Sequence, residues 1–309
     1  MKRVTFESGH VSVVGNLHTP SDFDDSQRYP AIIIATPGSS VKEQIGAIYA
    51  ERLAARGNVA LTFDPSFQGE SGGEPRDLED PAARVRDIHC AVDHLMTLRF
   101  VDEERLGLLG ICAGGGYAIK AAQTERRFKA VGTVVANDIG EATRRLLPDF
   151  RKTLVEVAQQ RTSEARGGKE RRDPWIPDTL QQAKDAGIDD PELLEAVKFY
   201  RESQYRHPNS TNRLLFVSYG SLLGFDAFGL VPDLLTQPLQ VIVGGRRGAT
   251  GQYEAGQRLF DLSPAKDKNL LSIEGAGHYD LYHKPEYVDQ AIKRLAAFFA
   301  QHIGSEVRA

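Results

Sequence analysis

A cysteine and a histidine, two residues that can do covalent chemistry together, stand in glycine-rich settings far apart in the chain. The cysteine is Cys112, within Arg105-Leu-Gly-Leu-Leu-Gly-Ile-Cys-Ala-Gly-Gly-Gly-Tyr-Ala-Ile-Lys. Apolar residues lead in, and Gly110 lies on one side with Gly114, Gly115 and Gly116 on the other. Tyr117 and its successors then read as a helix. Such a stretch predicts a strand, a turn tight enough to need glycines, and a helix, the layout of a Gly-x-Ser-x-Gly nucleophile elbow with a thiol in place of the hydroxyl. The positive end of the helix dipole favours thiolate over thiol. The competing reading makes Cys112 a small buried filler of a strand–helix turn.

The thiol needs a base. His278, in Glu274-Gly-Ala-Gly-His-Tyr-Asp-Leu-Tyr, directly follows the last strand-like run and so falls on the same sheet edge as the elbow. Its competing reading is a loop histidine bonded to backbone. A carboxylate to orient the imidazole is harder to find. After Leu239–Val243 the chain reads Gly244-Gly-Arg-Arg-Gly-Ala-Thr-Gly-Gln, with no acid before Glu254. Asp138, just past the preceding strand, ranks first, with Asp280 and Glu254 behind it. A low-pKa thiolate depends less on such an acid than a serine does, so a dyad is also open.

For a developing oxyanion, the expected donors are the backbone N–H of Ala113 and of the Gly38–Ser39 turn, which competes with an ordinary strand-to-helix connection. Gly69-Glu-Ser-Gly-Gly also fits the elbow pattern as text, but no strand leads directly into it and no helix follows, so Ser71 is read as a loop residue. Trp175, Phe225 and Phe228 are candidates for a pocket lining, against a plain packing role. His89/His94 and His278/His283 are five apart rather than four, which argues against a helical metal pair. Gly244 to Gly251 lacks the Gly-Lys-Ser/Thr ending of a phosphate loop. No metal or cofactor is called for.

These residues must be positioned by a scaffold. Val4–Phe6 and Val11–Leu17 alternate as a hairpin, and Tyr29–Ala35 and Val59–Phe63 are continuous apolar runs of doubly covered strands. Gln44–Arg56 and Pro81–Leu98 have helical spacing, and Ala130–Ala136 is a further strand. Strand and helix alternate, which predicts a parallel doubly wound α/β core. From Glu141 to Gln237 only helical texture is visible, at Leu146–Gln160, Leu180–Ala186 and Pro191–Tyr205. Strands resume at Pro238 and Asn269, and a helix over Pro285–His302 closes the pattern. The expected organisation is a core of residues 1–140 and 238–309, with 141–237 inserted as a helical cap over the edge where ligands of open sheets bind.

Among 309 residues the net charge is −4, which gives no reason to expect a nucleic acid or an anionic membrane as partner. Mean hydropathy is −0.36, and no run approaches a membrane span. The start of the chain lacks the apolar segment of a signal peptide, and two cysteines make no disulfide framework. A cytoplasmic location is the expectation. A homodimer is compatible with this composition, but no residue pattern specifies one.

Four motifs together resemble the α/β-hydrolases, in particular a cysteine-bearing branch near the dienelactone hydrolase-like proteins and the hydrolase-fold polyketide transferases. They are Thr36-Pro-Gly-Ser-Ser-Val-Lys-Glu-Gln, Phe63-Asp-Pro-Ser-Phe-Gln-Gly-Glu-Ser-Gly-Gly-Glu-Pro-Arg, Gly110-Ile-Cys-Ala-Gly-Gly-Gly-Tyr and His278-Tyr-Asp-Leu-Tyr. The resemblance implies a mostly parallel eight-stranded sheet with helices on both faces, Cys112 as nucleophile and His278 as base. It departs from the family at the missing acid after Val243 and in the long insertion. The expected activity is hydrolysis of an ester, thioester or lactone of a small-molecule acyl substrate through an acyl-cysteine. Transfer of the acyl group to an alcohol, and a binding protein that has lost catalysis, are the alternatives.

Overall fold

The three consecutive isoleucines of Tyr29–Ala35 reach two cores at once. Ala31, Ile33 and Ala35 face one apolar cluster while Ile32 and Ile34 face the other, as the two-residue period of a strand requires. The computed structural model describes residues 1–304 and sets this strand among seven others in one sheet. β1 (Lys2–Ser8) and β2 (Val11–His18) form the hairpin. β3 (Tyr29–Ala35), β4 (Val59–Phe63), β5 (Val101–Ile111) and β6 (Phe128–Val134) follow. The sheet order is β1-β2-β4-β3-β5-β6, completed by two later strands, Leu239–Gly244 and Lys268–Ile273. Only β1 and β2 run antiparallel to their neighbours. This is the α/β-hydrolase architecture.

α1 (Ile45–Ala54), α2 (Pro81–Met96) and α3 (Ala113–Ala122) connect these strands. Asp80 caps α2 through Ala82 N–H, and Pro81 fills its first position, where no N–H is needed. α1 packs on one face of the sheet and α2 with α3 on the other. Strand order reverses between β3 and β5, so the loops after those two strands flank the point where open α/β sheets bind ligands.

Between β6 and the next sheet strand the chain leaves the sheet entirely. It forms α4 (Ile139–Leu146), α5 (Phe150–Ala165), α6 (Leu180–Asp185) and α7 (Pro191–Val197), the last continuing as a π-helical turn over Lys198–Glu202. α8 (Tyr219–Gly224) and α9 (Val231–Leu234) complete the insertion. The expected purely helical texture is corrected at one place. β7 (Arg172–Pro174) and β8 (Arg213–Leu215) pair as an antiparallel ribbon, too short for any periodicity to announce it. Leu215 N–H donates to the carbonyl of Asp77, which ties the ribbon to the loop after β4.

Back in the sheet, β9 (Leu239–Gly244) is followed by α10 (Gln252–Leu262), and β10 (Lys268–Ile273) by the short α11 (Asp280–His283) and by α12 (Pro285–Ile303). The loops after β3, β5, β6, β9 and β10 therefore open on one edge. Among the described residues no helix is long and apolar enough to cross a membrane.

Candidate active site

The elbow forms where the sequence places it. Cys112 is the N-cap of α3, with φ 56° and ψ −125°, a left-handed backbone that a non-glycine residue adopts only when its surroundings enforce it. The glycines supply that enforcement through close approach. A Cβ on Gly114 would stand 2.2 Å from the carbonyl oxygen of Ala35, and one on Gly110 2.6 Å from that of Gly114. Strand β5 and helix α3 can meet at this angle only with bare backbone there. Cys112 C=O accepts from the N–H of Gly115 and of Asn137, so the turn is pinned from two sides.

His278, the Tyr282 hydroxyl and the Ala113 N–H lie near enough to the thiol to act on its charge. Burial pushes its pKa up, but His278, Tyr282 and the Ala113 N–H outweigh that, and the net effect holds the thiol below its ordinary value. Asn137 Nδ2 lies 3.9 Å from the sulfur. Cysteine and histidine, 166 positions apart in the chain, thus share one sheet edge, the thiol lining the cavity and the imidazole fully buried.

The Gly38–Ser39 turn lines the same cavity as Ala113 and Cys112. Ser39 has φ 57°, and its carbonyl accepts from Ser210 of the insertion at 2.6 Å. Two buried cations hold this loop. Arg84 donates to the carbonyls of Thr36 and Pro37 at 2.6 and 3.2 Å and pairs with Glu79. Lys42 donates to Asp64 at 2.9 Å and to Glu70 at 2.6 Å. Burial opposes the charge on Lys42, yet Asp64, Glu43 and Glu70 beside it hold its pKa above the usual lysine range. These pairs fix loop position; their desolvation cost makes them poor sources of net stability.

The acid is where the sequence and structure part. Asp138 does not face His278. It caps α4, with Oδ1 accepting from Gly140 and Glu141 N–H and Oδ2 from Ala227 N–H at 3.1 Å. Aspartate is a preferred N-cap, and a helix starting immediately after β6 uses its carboxylate there. Asp280 accepts from Gly277 N–H and pairs with Arg246 and Lys284. Glu254 pairs with Arg247 at 3.2 Å on the surface.

The carboxylate beside the imidazole is Glu192, on the first turn of α7. Its Oε1 lies 3.6 Å from His278 Nδ1, and Thr250 sits between the two. Thr250 Oγ1 is 2.8 Å from Glu192 Oε1 and 3.0 Å from His278 Nδ1, while Thr250 N–H donates to Oε2 at 2.7 Å. A carboxylate only accepts, so the threonine hydroxyl donates to Glu192 and accepts from Nδ1–H. That orientation leaves Nε2 as the nitrogen turned toward Cys112. The Tyr282 hydroxyl lies 3.2 Å from it. Burial raises the pKa of Glu192, opposed by the two bonds from Thr250. Gly248 makes the approach possible: a Cβ there would fall 2.3 Å from Glu192 Oε2.

The three expected pocket aromatics divide. Trp175 lines the cavity and packs its ring against Gly38. Phe225 instead stacks near Tyr117, with centroids 5.6 Å apart, and Phe228 is fully buried in the core. Tyr200, Tyr279 and Tyr282 also wall the cavity around the thiol. Ser71 is structural, as expected: its hydroxyl donates to the Asp64 carbonyl and accepts from Val14 N–H. No group of histidine, cysteine and acidic side chains among the described residues is arranged to hold a metal ion.

The serine aminopeptidase, S33 family (Hydrolase_4) matches residues 29–284. The chain belongs to this α/β-hydrolase family. It is 36% identical to the uncharacterized protein YcjY of Escherichia coli over 94% of both chains. The crystal structure of hypothetical protein PA2218 from Pseudomonas aeruginosa superposes with a TM-score of 0.86 at 30% identity, covering 97% of this chain and 93% of that one. A thiohydrolase of Eupenicillium brefeldianum is 26% identical over 90% of this chain and 87% of its own.

Proposed function

We propose that the protein is a cysteine-dependent acyl hydrolase acting on a thioester, ester or lactone, with Cys112 as nucleophile, His278 as base and Glu192 as the acid acting through Thr250. The observation that carries this reading is an imidazole beside the Cys112 thiol whose far nitrogen is held by the Thr250 hydroxyl and, through it, by Glu192. The thiolate adds to the carbonyl carbon, and the oxyanion forms against the N–H of Ala113 and the Gly38–Ser39 backbone. Collapse of that intermediate breaks the bond to the leaving group, which takes the proton on Nε2 of His278. Water then loses a proton to Nε2 as it attacks the acyl-cysteine, and the thiolate leaves again.

A thioester is the favoured substrate class. Exchange of one thiolate for another on a carbonyl is close to balanced, whereas an alkoxide is a poorer leaving group than the attacking thiolate. The relative named thiohydrolase supports the same preference. The family's description names a serine peptidase, but fold membership alone does not carry that activity to a chain whose elbow residue is cysteine.

Thioester turnover by wild type and Cys112→Ala tests this. The variant should lose at least ~10²-fold in kcat/KM, the scale of a lost catalytic group, while keeping its unfolding midpoint. Turnover at the wild-type rate would exclude the mechanism. Repeating the assay with an added alcohol separates hydrolysis from transfer, since a transferase would give ester in preference to acid.

A further inference from the structure

Tyr282 follows His278 on the same short segment, within α11. Its hydroxyl lies 3.2 Å from His278 Nε2, and the two rings are 5.3 Å apart between centroids. The side chain is fully buried, so bulk water does not compete for the hydroxyl. Phe199 packs edge-on against the phenol ring at 5.0 Å and Tyr279 at 4.9 Å. Tyr49 donates to the carbonyl of Leu281 at 2.8 Å, which anchors the backbone beside it. Phenylalanine would serve that packing equally well, and a buried hydroxyl costs desolvation unless it is paired. The hydroxyl therefore needs an account of its own.

A phenol carries one proton and spare lone pairs, so it can accept from one neighbour while donating to another. The titratable groups around it are Cys112, His278, Tyr200 and Tyr279, with Glu192 behind Thr250 on the far side of the imidazole. Burial and the charge of a thiolate push the Tyr282 pKa well above its ordinary value, so the proton stays on. When Nε2 is protonated it can only donate, and the phenol oxygen at 3.2 Å accepts from it. The phenol proton then needs another acceptor. The Tyr200 hydroxyl is a neutral one; the Cys112 sulfur, which the hydroxyl is near enough to influence, is a charged one and the stronger partner.

We propose that Tyr282 is a catalytic residue whose hydroxyl bridges base and nucleophile, accepting from His278 Nε2–H and donating to the Cys112 sulfur whenever that atom is a thiolate. The proton lost by the thiol resides on Nε2, and the tyrosine ends each cycle unchanged. The bridge forms twice per turnover, in the ion pair before attack and as the thiolate leaves the acyl carbon during deacylation. The uncharged sulfur of the acyl-enzyme is a far weaker acceptor, so the hydroxyl favours the charged states selectively. The proposal rests on the acyl-cysteine reading for its place in turnover, but ionisation of the thiol can be followed without any substrate.

The test is the pH dependence of iodoacetamide alkylation, followed at Cys112 by peptide mass so that the other free cysteine, Cys90, is set aside. Tyr282→Phe keeps the ring and should move the acidic limb upward by roughly one to two units, the worth of one hydrogen bond to a charge. Replacing Tyr282 by meta-fluorotyrosine, a stronger donor of nearly the same shape, should move the limb downward. In thioester turnover Tyr282→Phe should lower kcat by roughly 10- to 100-fold and leave KM near wild type. An unmoved limb in Tyr282→Phe, or a loss confined to KM, would make Tyr282 a packing residue and overturn the proposal. Should that variant fail to fold, the fluorinated protein decides alone, and a limb that stays or rises there overturns it. Turnover that survives Cys112→Ala would instead remove the acyl-cysteine reading, and the alkylation limb would still judge the bridge.

Discussion

The two glycine-rich strand-to-helix turns of this protein, Gly110–Gly116 after β5 and Gly244–Gly251 after β9, use glycine for opposite ends. In the first, absent side chains let backbone meet backbone, and the one residue with a side chain to spare, Cys112, is lifted out of the turn. In the second, the absent side chain leaves a space, and a carboxylate from another part of the chain occupies it: Glu192 lies against Gly248. A glycine that makes room for its own strand and helix is a local device. A glycine that makes room for a visitor is not, and nothing in its own neighbourhood names the visitor.

Substitutions can break that contrast, and the largest effect belongs to the first turn. Gly114→Ala sets a methyl against the rigid backbone of β3, so stability should fall by about 1–3 kcal/mol, the range for overpacking, and activity should vanish with the elbow. Urea unfolding and thioester turnover read both. Next comes Glu192→Gln, which should lower kcat/KM by roughly 10- to 100-fold, less than the ~10⁴ lost when a serine triad has its acid amidated. Asp138→Asn is its control. Asparagine is as good an N-cap but cannot accept from Ala227 N–H, so stability should fall by about 1–3 kcal/mol while kcat/KM stays near wild type; an equal loss of turnover in both variants would reassign the acid.

Gly248→Ala is the sharper probe. The atom it meets is the far end of a flexible side chain rather than backbone, so Glu192 should be displaced at a cost of under about 1 kcal/mol in stability, while kcat/KM falls about tenfold. A collapse of the fold there would make the two turns equivalent after all. The smallest effect concerns Thr250. Because the Cys112 pKa is lowered in the folded protein, its alkylation should persist below the ordinary thiol value of ~8.5 and decline only as falling pH protonates the thiolate. Thr250→Val removes one hydrogen bond to the imidazole and should move that acidic limb upward by roughly half a unit to one unit.

Most of the scaffold was legible because its signals are local. The isoleucine run of β3, Val59–Phe63 and the glycines around Cys112 each specify their own few residues, and His278 follows from its place after the last strand. Glu192 was invisible for a physical reason. In Asp189-Asp-Pro-Glu, a capping aspartate, a proline and a glutamate in the first turn are what any helix start prefers, so the residue carries an ordinary explanation already. Only the way α7 packs against the loop after β9 gives it a second one. Asp138 misled by the same ambiguity in reverse, since a carboxylate at a strand end reads as chemistry and here serves a cap. The tyrosine wall and the β7–β8 ribbon likewise exist through packing between distant segments.

Where the acid resides has a bearing on ancestry and engineering alike. Insertions between sheet strands are commonly treated as interchangeable ornament, free to be trimmed or transplanted while the machinery beneath keeps running. On the proposed mechanism a transplant would carry off Glu192, and a shortened descendant would have to recruit a replacement carboxylate or run on the cysteine and histidine alone.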